Sequence, residues 1–204
     1  MTTTLSFQHR FVPGTDPARP PLLLLHGTGG DESDLLPLGE AIAPGAALLS
    51  PRGQVLENGM PRFFRRFAEG RFDEDDLRAR AADLAGFVGE ARQAYGLAAP
   101  VAVGFSNGAN IAAALLLLHP GVLAGAVLLR AMRPFAAAPS AELKGVPVLI
   151  LSGAADPIVP EENAAGLAAD LHAAGAALTH ETLPVGHGLS QADLRAVKAF
   201  LAAA

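Results

Sequence analysis

Cysteine is absent from the 204-residue sequence, which excludes disulfide bonds, thiolate metal ligands and a cysteine nucleophile. Charged residues make up only 17% of the chain, and the net charge of −5 is opposite in sign to the basic surface that nucleic-acid-binding proteins present. No apolar run approaches the roughly 18 residues of a membrane-spanning helix, and the N-terminal MTTTLSFQHR lacks the pattern of a secretory signal peptide. We therefore expect a cytoplasmic protein with neither a nucleic-acid nor a membrane partner.

Hydrophobic residues, by contrast, make up half of the sequence, and residues 1–204 suit one well-buried domain better than two. Short apolar runs alternate with longer amphipathic segments. Strands are predicted near residues 21–26, 46–50, 100–105, 125–129, 146–152 and 178–183, and helices near residues 32–43, 73–95, 106–119, 160–174 and 190–203. This alternation predicts a single α/β domain with a mostly parallel central sheet and helices on both faces.

Residues 52–72 (RGQVLENGMPRFFRRFAEGRF) interrupt the alternation and show no clear period. In a compact domain, an aperiodic segment of this length indicates an active-site loop or lid. The chain is too short for a large cap domain as well, so we expect this segment to roof an open cleft.

The stretch GFSNG at residues 104–108 lies between an apolar strand and an Ala- and Leu-rich segment. Asn-Gly could form a hairpin turn, but residues 109–118 lack the β-branched alternation of a second strand and favour a helix. Ser106 therefore sits at a strand-to-helix corner with a glycine two residues away on each side. This is the nucleophile-elbow arrangement, in which Oγ is exposed and the backbone N–H of Asn107 faces a developing oxyanion.

A serine nucleophile needs a base, and four histidines follow Ser106 in the chain. His119 ends the helix that Ser106 begins, His172 falls within a helix and His180 within a strand. His187, in PVGHG just after the last strand, lies on a glycine-flanked loop at the same sheet edge as Ser106. We predict His187 as the base; the alternative is an ordinary surface-loop histidine.

An acid is needed to orient that imidazole, and Asp156 in SGAADPIVP follows the strand at residues 146–152. Its position fits the order serine, acid, histidine that a nucleophile elbow on this class of sheet requires. The alternative is that Asp-Pro simply marks a turn or a helix entry. Glu161 and Glu162, the next acids, are better explained as charges at a helix start.

The glycine-rich stretch LLLLHGTGGDE offers a second oxyanion donor, the backbone N–H of Thr28. A dinucleotide site is excluded here, because Glu32 stands where the third glycine of G-x-G-x-x-G should be. No G-K-[ST] phosphate loop and no His/Asp/Glu cluster with metal-ligand spacing occurs in the sequence. We expect neither a cofactor nor a metal.

The segments LHGTGGDESDLLPL, PRG, ENGMPRFF, VGFSNGAN, SGAADPIVP and VGHG, in this order and spacing, resemble the small phospholipase/carboxylesterase family of α/β-hydrolases. The resemblance is closest to the compact bacterial carboxylesterase branch. It implies the α/β-hydrolase fold, a serine hydrolase of carboxylic esters or thioesters, and a homodimer. It also implies Ser106, Asp156 and His187 as the catalytic triad, with Thr28 and Asn107 as oxyanion positions.

Three residues of the 52–72 segment are candidates for substrate binding. We expect Phe63 or Phe64 to pack against the acyl or aryl group of a small-molecule ester, and Arg62 or a neighbouring residue to attract negative charge. The alternative is that the phenylalanines anchor the segment to the core while the arginines are solvated.

Two other functions stay open at this point. An acyltransferase or perhydrolase would use the same triad and differ only in which nucleophile accepts the acyl group. A non-catalytic hydrolase-fold protein that binds a ligand would need none of the triad chemistry.

Overall fold

A computed structural model describes residues 5–203, and within that range the chain forms eleven strands and five helices. The strands are β1 His9–Val12, β2 Leu22–Leu25, β3 Leu48–Pro51, β4 Val55–Glu57, β5 Met60–Arg62, β6 Arg66–Ala68, β7 Arg71–Phe72, β8 Val101–Phe105, β9 Gly125–Leu129, β10 Pro147–Gly153 and β11 Ala177–Leu183. The helices are α1 Leu36–Ile42, α2 Glu74–Tyr95, α3 Asn107–Leu118, α4 Glu161–Ala173 and α5 Gln191–Ala203.

Seven of these strands form one sheet in the order β1-β3-β2-β8-β9-β10-β11. Strand β1 pairs antiparallel with β3, and every other pair in the sheet is parallel. The predicted α/β fold with a mostly parallel sheet is therefore confirmed. Because parallel strands end at a common edge, the loops after β2, β8, β10 and β11 all lie at the carboxyl edge of the sheet.

Helices cover both faces of the sheet, as predicted. Alternate strand residues point to opposite faces, so each strand contributes to two separate cores. One core packs Leu23, Ala102, Leu128 and Ile150 of the sheet against α2, α3 and α4, and the other packs Leu24, Val103, Val127 and Leu149 against α1 and α5. This two-sided burial explains why the central strands are almost continuously apolar in sequence.

Two strand and helix predictions need correction at the N-terminal side. Strand β1 was not predicted, because its HRFV segment is short and half-buried at the sheet edge, without an apolar run. Helix α1 begins at Leu36 rather than near residue 32. The N–H of Ser33 donates to the Asp31 carboxylate at 2.7 Å, and this local turn delays the start of the helix.

The 52–72 segment is not an irregular loop. It folds into two small antiparallel hairpins, β4–β5 and β6–β7. Asn58 and Gly59 connect the first pair with φ of 52° and 80°, as a two-residue type I′ turn requires. The Asn-Gly dipeptide was the available signal for this hairpin. Strands of only two or three residues are too short to show a period.

Across residues 5–203, the helices include none with the length and hydropathy that crossing a lipid bilayer demands.

Candidate active site

Ser106 occupies the corner between β8 and α3, with φ 52° and ψ −113°. A non-glycine residue held in such a conformation costs on the order of 1–3 kcal/mol, so the packing around it must impose it. Two glycines allow that packing. A Cβ on Gly104 would lie 2.5 Å from the carbonyl oxygen of Gly108, and a Cβ on Gly108 would overlap the carbonyl oxygen of Leu25. The half-buried Ser106 side chain lines a pocket at the carboxyl edge of the sheet.

The side chains of Ser106, His187 and Asp156 form a continuous hydrogen-bonded chain. His187 Nε2 lies 3.0 Å from Ser106 Oγ, and His187 Nδ1 lies 2.8 Å from Asp156 Oδ2. An ionised carboxylate can only accept, so the proton of the neutral imidazole resides on Nδ1 and Nε2 is free to accept from the serine hydroxyl. This is the tautomer that a general base acting on Ser106 requires.

The Asp156 side chain is fully buried and is held by its own loop. Its Oδ1 accepts hydrogen bonds from the backbone N–H groups of Ile158 at 2.8 Å and Val159 at 3.1 Å, which leaves Oδ2 for His187. The turn that Asp-Pro predicted is therefore present. It fixes the carboxylate rather than competing with the contact to the imidazole.

The two predicted oxyanion positions flank Ser106. Thr28 follows β2, Asn107 begins α3, and both line the pocket. Within the described residues, neither backbone N–H donates a hydrogen bond. The side chain of Asn107 has a separate role, because its Oδ1 accepts from the backbone N–H of Phe63 at 2.8 Å and so ties the 52–72 segment to α3.

Arg130, which sequence reasoning did not single out, holds the loop that carries His187. It directly follows β9, has φ 56° and is completely buried. Its guanidinium donates to the carbonyl oxygens of Gly186 at 2.9 Å and Gly188 at 3.2 Å, the residues on either side of His187. Arg130 therefore fixes the backbone on both sides of the imidazole.

Asp193, on helix α5, holds the Arg130 guanidinium in place. We call Arg130 and its bonds to Asp193, Gly186 and Gly188 the Arg130 clamp. Both carboxylate oxygens accept from Arg130, at 2.8 and 2.9 Å, and one also accepts from the backbone and hydroxyl of Ser190, each at 2.8 Å. Burial alone would raise the pKa of Asp193, but these hydrogen bonds lower it below its ordinary value. In the sequence, Ser190 and Asp193 have only the spacing of a helix-capping pair. A partner 63 residues away left no local signal.

The pocket beside Ser106 has a volume of about 250 Å³ and is lined by both apolar and polar side chains. The apolar ones are Phe72, Phe105, Met132 and Ile158, and the polar ones include Thr28, Arg62, Arg66, Glu69 and Asn110. Several of these residues come from the two hairpins, so the 52–72 segment does border the pocket. The volume lies just below the range of roughly 300–1,000 Å³ that holds drug-sized ligands, so the pocket suits a small molecule.

The three predicted substrate-binding residues lie in two different environments. Arg62 lines the pocket, whereas Phe63 and Phe64 are 2% and 0% exposed and belong to the hydrophobic core. Phe63 packs against the ring of His26, with centroids 4.7 Å apart, and Phe64 meets Phe72 edge-on at 5.1 Å. The expectation that one of them contacts the acyl or aryl group is thus corrected. They anchor the segment because the hairpins can bury both rings.

The His26 side chain links the loop that carries Thr28 to Gly53, just before the first hairpin. Its Nδ1 donates to the carbonyl oxygen of Gly27 at 2.6 Å, and its Nε2 accepts from the N–H of Gly53 at 3.0 Å. A protonated ring would lose the second bond, because two N–H groups would then face each other. Burial lowers the pKa of His26 below its ordinary value, in agreement with this geometry.

We expect His26 to make the protein less stable in mild acid. Above the unfolded-state pKa of about 6.5, neither state is protonated at residue 26. As the pH falls below it, the unfolded chain binds a proton that the folded chain excludes, so the free energy of unfolding decreases until the lower folded pKa is reached. Urea denaturation at about pH 7.5 and about pH 5.5 should show a smaller decrease in the free energy of unfolding for His26→Gln than for the unchanged protein.

Replacement of the exposed His172 with glutamine serves as the control for the His26 prediction and should leave the decrease unchanged. Equal decreases for His26→Gln and the unchanged protein would contradict the assignment.

Comparisons with known proteins give one matching family model and several similar proteins. A family model described as phospholipase/carboxylesterase matches residues 8–204. MhqD of Bacillus subtilis (strain 168) is 47% identical over 172 residues, which cover 83% of this chain and 86% of MhqD. The crystal structure of the Bacillus cereus carboxylesterase superimposes with a TM-score of 0.94 at 45% identity, covering 97% of this chain and 94% of that one. The carboxylesterase from Mesorhizobium loti gives a TM-score of 0.93 at 36% identity, covering 99% and 97%.

Proposed function

The chain belongs to the phospholipase/carboxylesterase family of hydrolases, and from that premise we propose that it is a serine carboxylesterase that cleaves small carboxylic esters through an acyl-enzyme. The observation that carries the proposal is the hydrogen-bonded chain from Asp156 through His187 to Ser106, which opens into a pocket. Thioesters react by the same steps and form a second substrate class.

In the acylation step, Ser106 Oγ attacks the ester carbonyl while His187 Nε2, 3.0 Å away, takes the hydroxyl proton. The resulting imidazolium is stabilised by the Asp156 carboxylate on its other side. The carbonyl oxygen becomes an oxyanion that the N–H groups of Thr28 and Asn107 would bind. Two such preorganised donors are each worth about 3 kcal/mol of barrier.

In the second half, His187 transfers its proton to the departing alcohol, and the carbon–oxygen bond of the tetrahedral intermediate breaks. A water molecule then attacks the acyl group on Ser106, with His187 again acting as the base. The Arg130 clamp supports both halves, because the imidazole must keep its position while its charge changes. The product acid leaves and Ser106 regains its proton.

A fluorophosphonate probe tests the assignment, because it phosphonylates only a serine that a neighbouring base activates. We expect the intact protein to be labelled on Ser106, identified by peptide mass spectrometry, and Ser106→Ala to remain unlabelled. Ser152 provides a matched control, since its Oγ lies 2.9 Å from His180 Nε2 but it does not line the pocket. Ser152→Ala should keep the label. Labelling that survives in Ser106→Ala, or an unlabelled intact protein, would count against a serine hydrolase and favour a non-catalytic ligand-binding protein.

Acyl transfer to an alcohol or to hydrogen peroxide uses the same acyl-enzyme, and product analysis in their presence separates it from hydrolysis. The cytoplasmic location and the homodimer stay predictions from the sequence.

A further inference from the structure

Arg62 places a positive charge inside the pocket. Its side chain is only 2% exposed, yet it lines the same cavity as Ser106 and Thr28. Taking a guanidinium out of water is costly unless a carboxylate and further hydrogen bonds replace the lost hydration. A buried arginine is therefore stable only where neighbouring groups satisfy its charge.

Two carboxylates, Glu57 and Glu69, act on Arg62, but Glu69 makes no hydrogen bond to it within the described residues and Glu57 is mainly engaged elsewhere. Glu57 binds Arg66 through both oxygens, at 2.9 and 3.0 Å, and reaches Arg62 with a single contact of 3.4 Å. Burial, followed by the repulsion from Arg66, lowers the pKa of Arg62 below its ordinary value. The cation is thus only weakly compensated by the protein.

The other fully enclosed arginine shows what complete compensation looks like. Arg130 donates two hydrogen bonds to the Asp193 carboxylate and three to backbone carbonyl oxygens. Arg62 donates to one carbonyl oxygen, that of Phe64 at 3.2 Å, and to the hydroxyl of Thr28 at 2.6 Å. Its Nη2 donates to no residue in the described part of the chain.

The Thr28 hydroxyl adds a second donor at this position. Because its oxygen accepts from Arg62, its own hydrogen is free to point elsewhere. Two donors, one of them charged, therefore border the cavity, and among the described residues neither the Thr28 hydroxyl hydrogen nor Arg62 Nη2 is bonded to Glu69, the carboxylate that also lines it. Charged hydrogen bonds to a carboxylate are the strong ones, and the guanidinium geometry suits that group.

We propose that Arg62 and the Thr28 hydroxyl form a subsite for a carboxylate, and that the preferred esters carry such a group a few atoms from the scissile carbonyl. The proposal rests on the esterase function above and adds the substrate class. The apolar residues that line the pocket would take the uncharged remainder of the molecule. Arg62 acts here as a specificity determinant that contacts substrate, in addition to holding Thr28.

The test compares anionic esters with neutral esters of the same shape. For an acyl-side carboxylate, mono-4-nitrophenyl succinate is paired with 4-nitrophenyl 4-methylpentanoate; for an alcohol-side carboxylate, 4-acetoxybenzoate is paired with 4-isopropylphenyl acetate. The readout is the anionic-to-neutral ratio of kcat/KM, which cancels any general effect of a variant on catalysis. We expect Arg62→Gln to lower this ratio by roughly 10- to 100-fold in at least one pair, the range for a hydrogen bond to a charged group.

Three further variants make the test specific. Arg62→Lys should restore part of the ratio, because it keeps the charge without the fork of donors. Glu57→Gln should raise the ratio, since it removes the competing carboxylate. Arg71→Gln, on the same segment but exposed and outside the pocket, should leave the ratio unchanged. Ratios that respond to neither Arg62→Gln nor Glu57→Gln, in both pairs, would overturn the subsite.

A binding measurement separates this subsite from the esterase function. Calorimetric titration of succinate into Ser106→Ala protein should show binding that Arg62→Gln weakens at least tenfold. If no ester is hydrolysed but this binding is seen, the proposed function fails and the subsite stands. If neutral esters are hydrolysed while succinate binding is absent or independent of Arg62, the subsite fails and the function stands.

Discussion

Replacing Ser106 with alanine is expected to lower kcat for an unactivated alkyl ester such as methyl butyrate by up to about 10⁶-fold, the loss seen when a triad nucleophile is removed. Oγ is the atom that forms the acyl-enzyme, and no other group takes its place opposite His187 Nε2. Alanine meets the same backbone strain at φ 52° as serine does, so the fold should be retained. Rates can be followed by titrating the released acid, and the melting temperature measures folding.

Cooperation within the triad provides the control for Ser106→Ala. If the three side chains act as one unit, adding His187→Ala to Ser106→Ala should cause little further loss, because triad replacements are strongly non-additive. Independent, multiplying losses would contradict the shared mechanism. A Ser106→Ala protein that keeps more than about a hundredth of the activity would exclude Ser106 as the nucleophile.

Replacing Arg130 with methionine is expected to lower the free energy of unfolding by about 3–5 kcal/mol, because it leaves the Asp193 carboxylate buried without a charged partner. It also frees the carbonyl oxygens of Gly186 and Gly188, so kcat should fall as His187 loses its fixed position. Urea denaturation measures the first effect and ester hydrolysis the second.

Arg133→Met is the matched control for Arg130→Met. Its ion pair with Asp170 is partly exposed, with Arg133 36% accessible, and such pairs contribute about 1 kcal/mol or less.

A second variant separates stability from positioning. Adding Asp193→Leu to Arg130→Met removes the unpaired carboxylate, so the double variant should be more stable than the sum of the two single losses predicts. Its kcat should stay low, because nothing replaces the bonds to the His187 loop. Recovery of kcat together with stability would mean that Arg130 serves the fold alone and has no part in positioning His187.

Ser106 and Ser152 show that a serine next to a histidine is, by itself, weak evidence for a catalytic site. Both serines lie within 3.0 Å of a histidine nitrogen. Only Ser106 sits in the strained corner that lines the pocket, and of the two histidines only His187 donates a hydrogen bond to a carboxylate. In the sequence, the glycine spacing distinguishes Ser106 from Ser152, because the corner leaves no room for a side chain at residues 104 and 108.

Local patterns in the sequence determined the α/β alternation and the residues that can form the site. Apolar runs, glycines at the corner and the order of serine, acid and histidine reflect constraints that act within a few residues or follow from strands sharing one edge. Only the tertiary structure decided the surroundings of those residues. Whether Phe63 faces the substrate or the core, whether Arg62 is solvated or enclosed, and which carboxylate meets Arg130 depend on contacts between segments far apart in the chain. Such contacts are fixed by packing and charge burial, which leave no period or spacing in a single sequence.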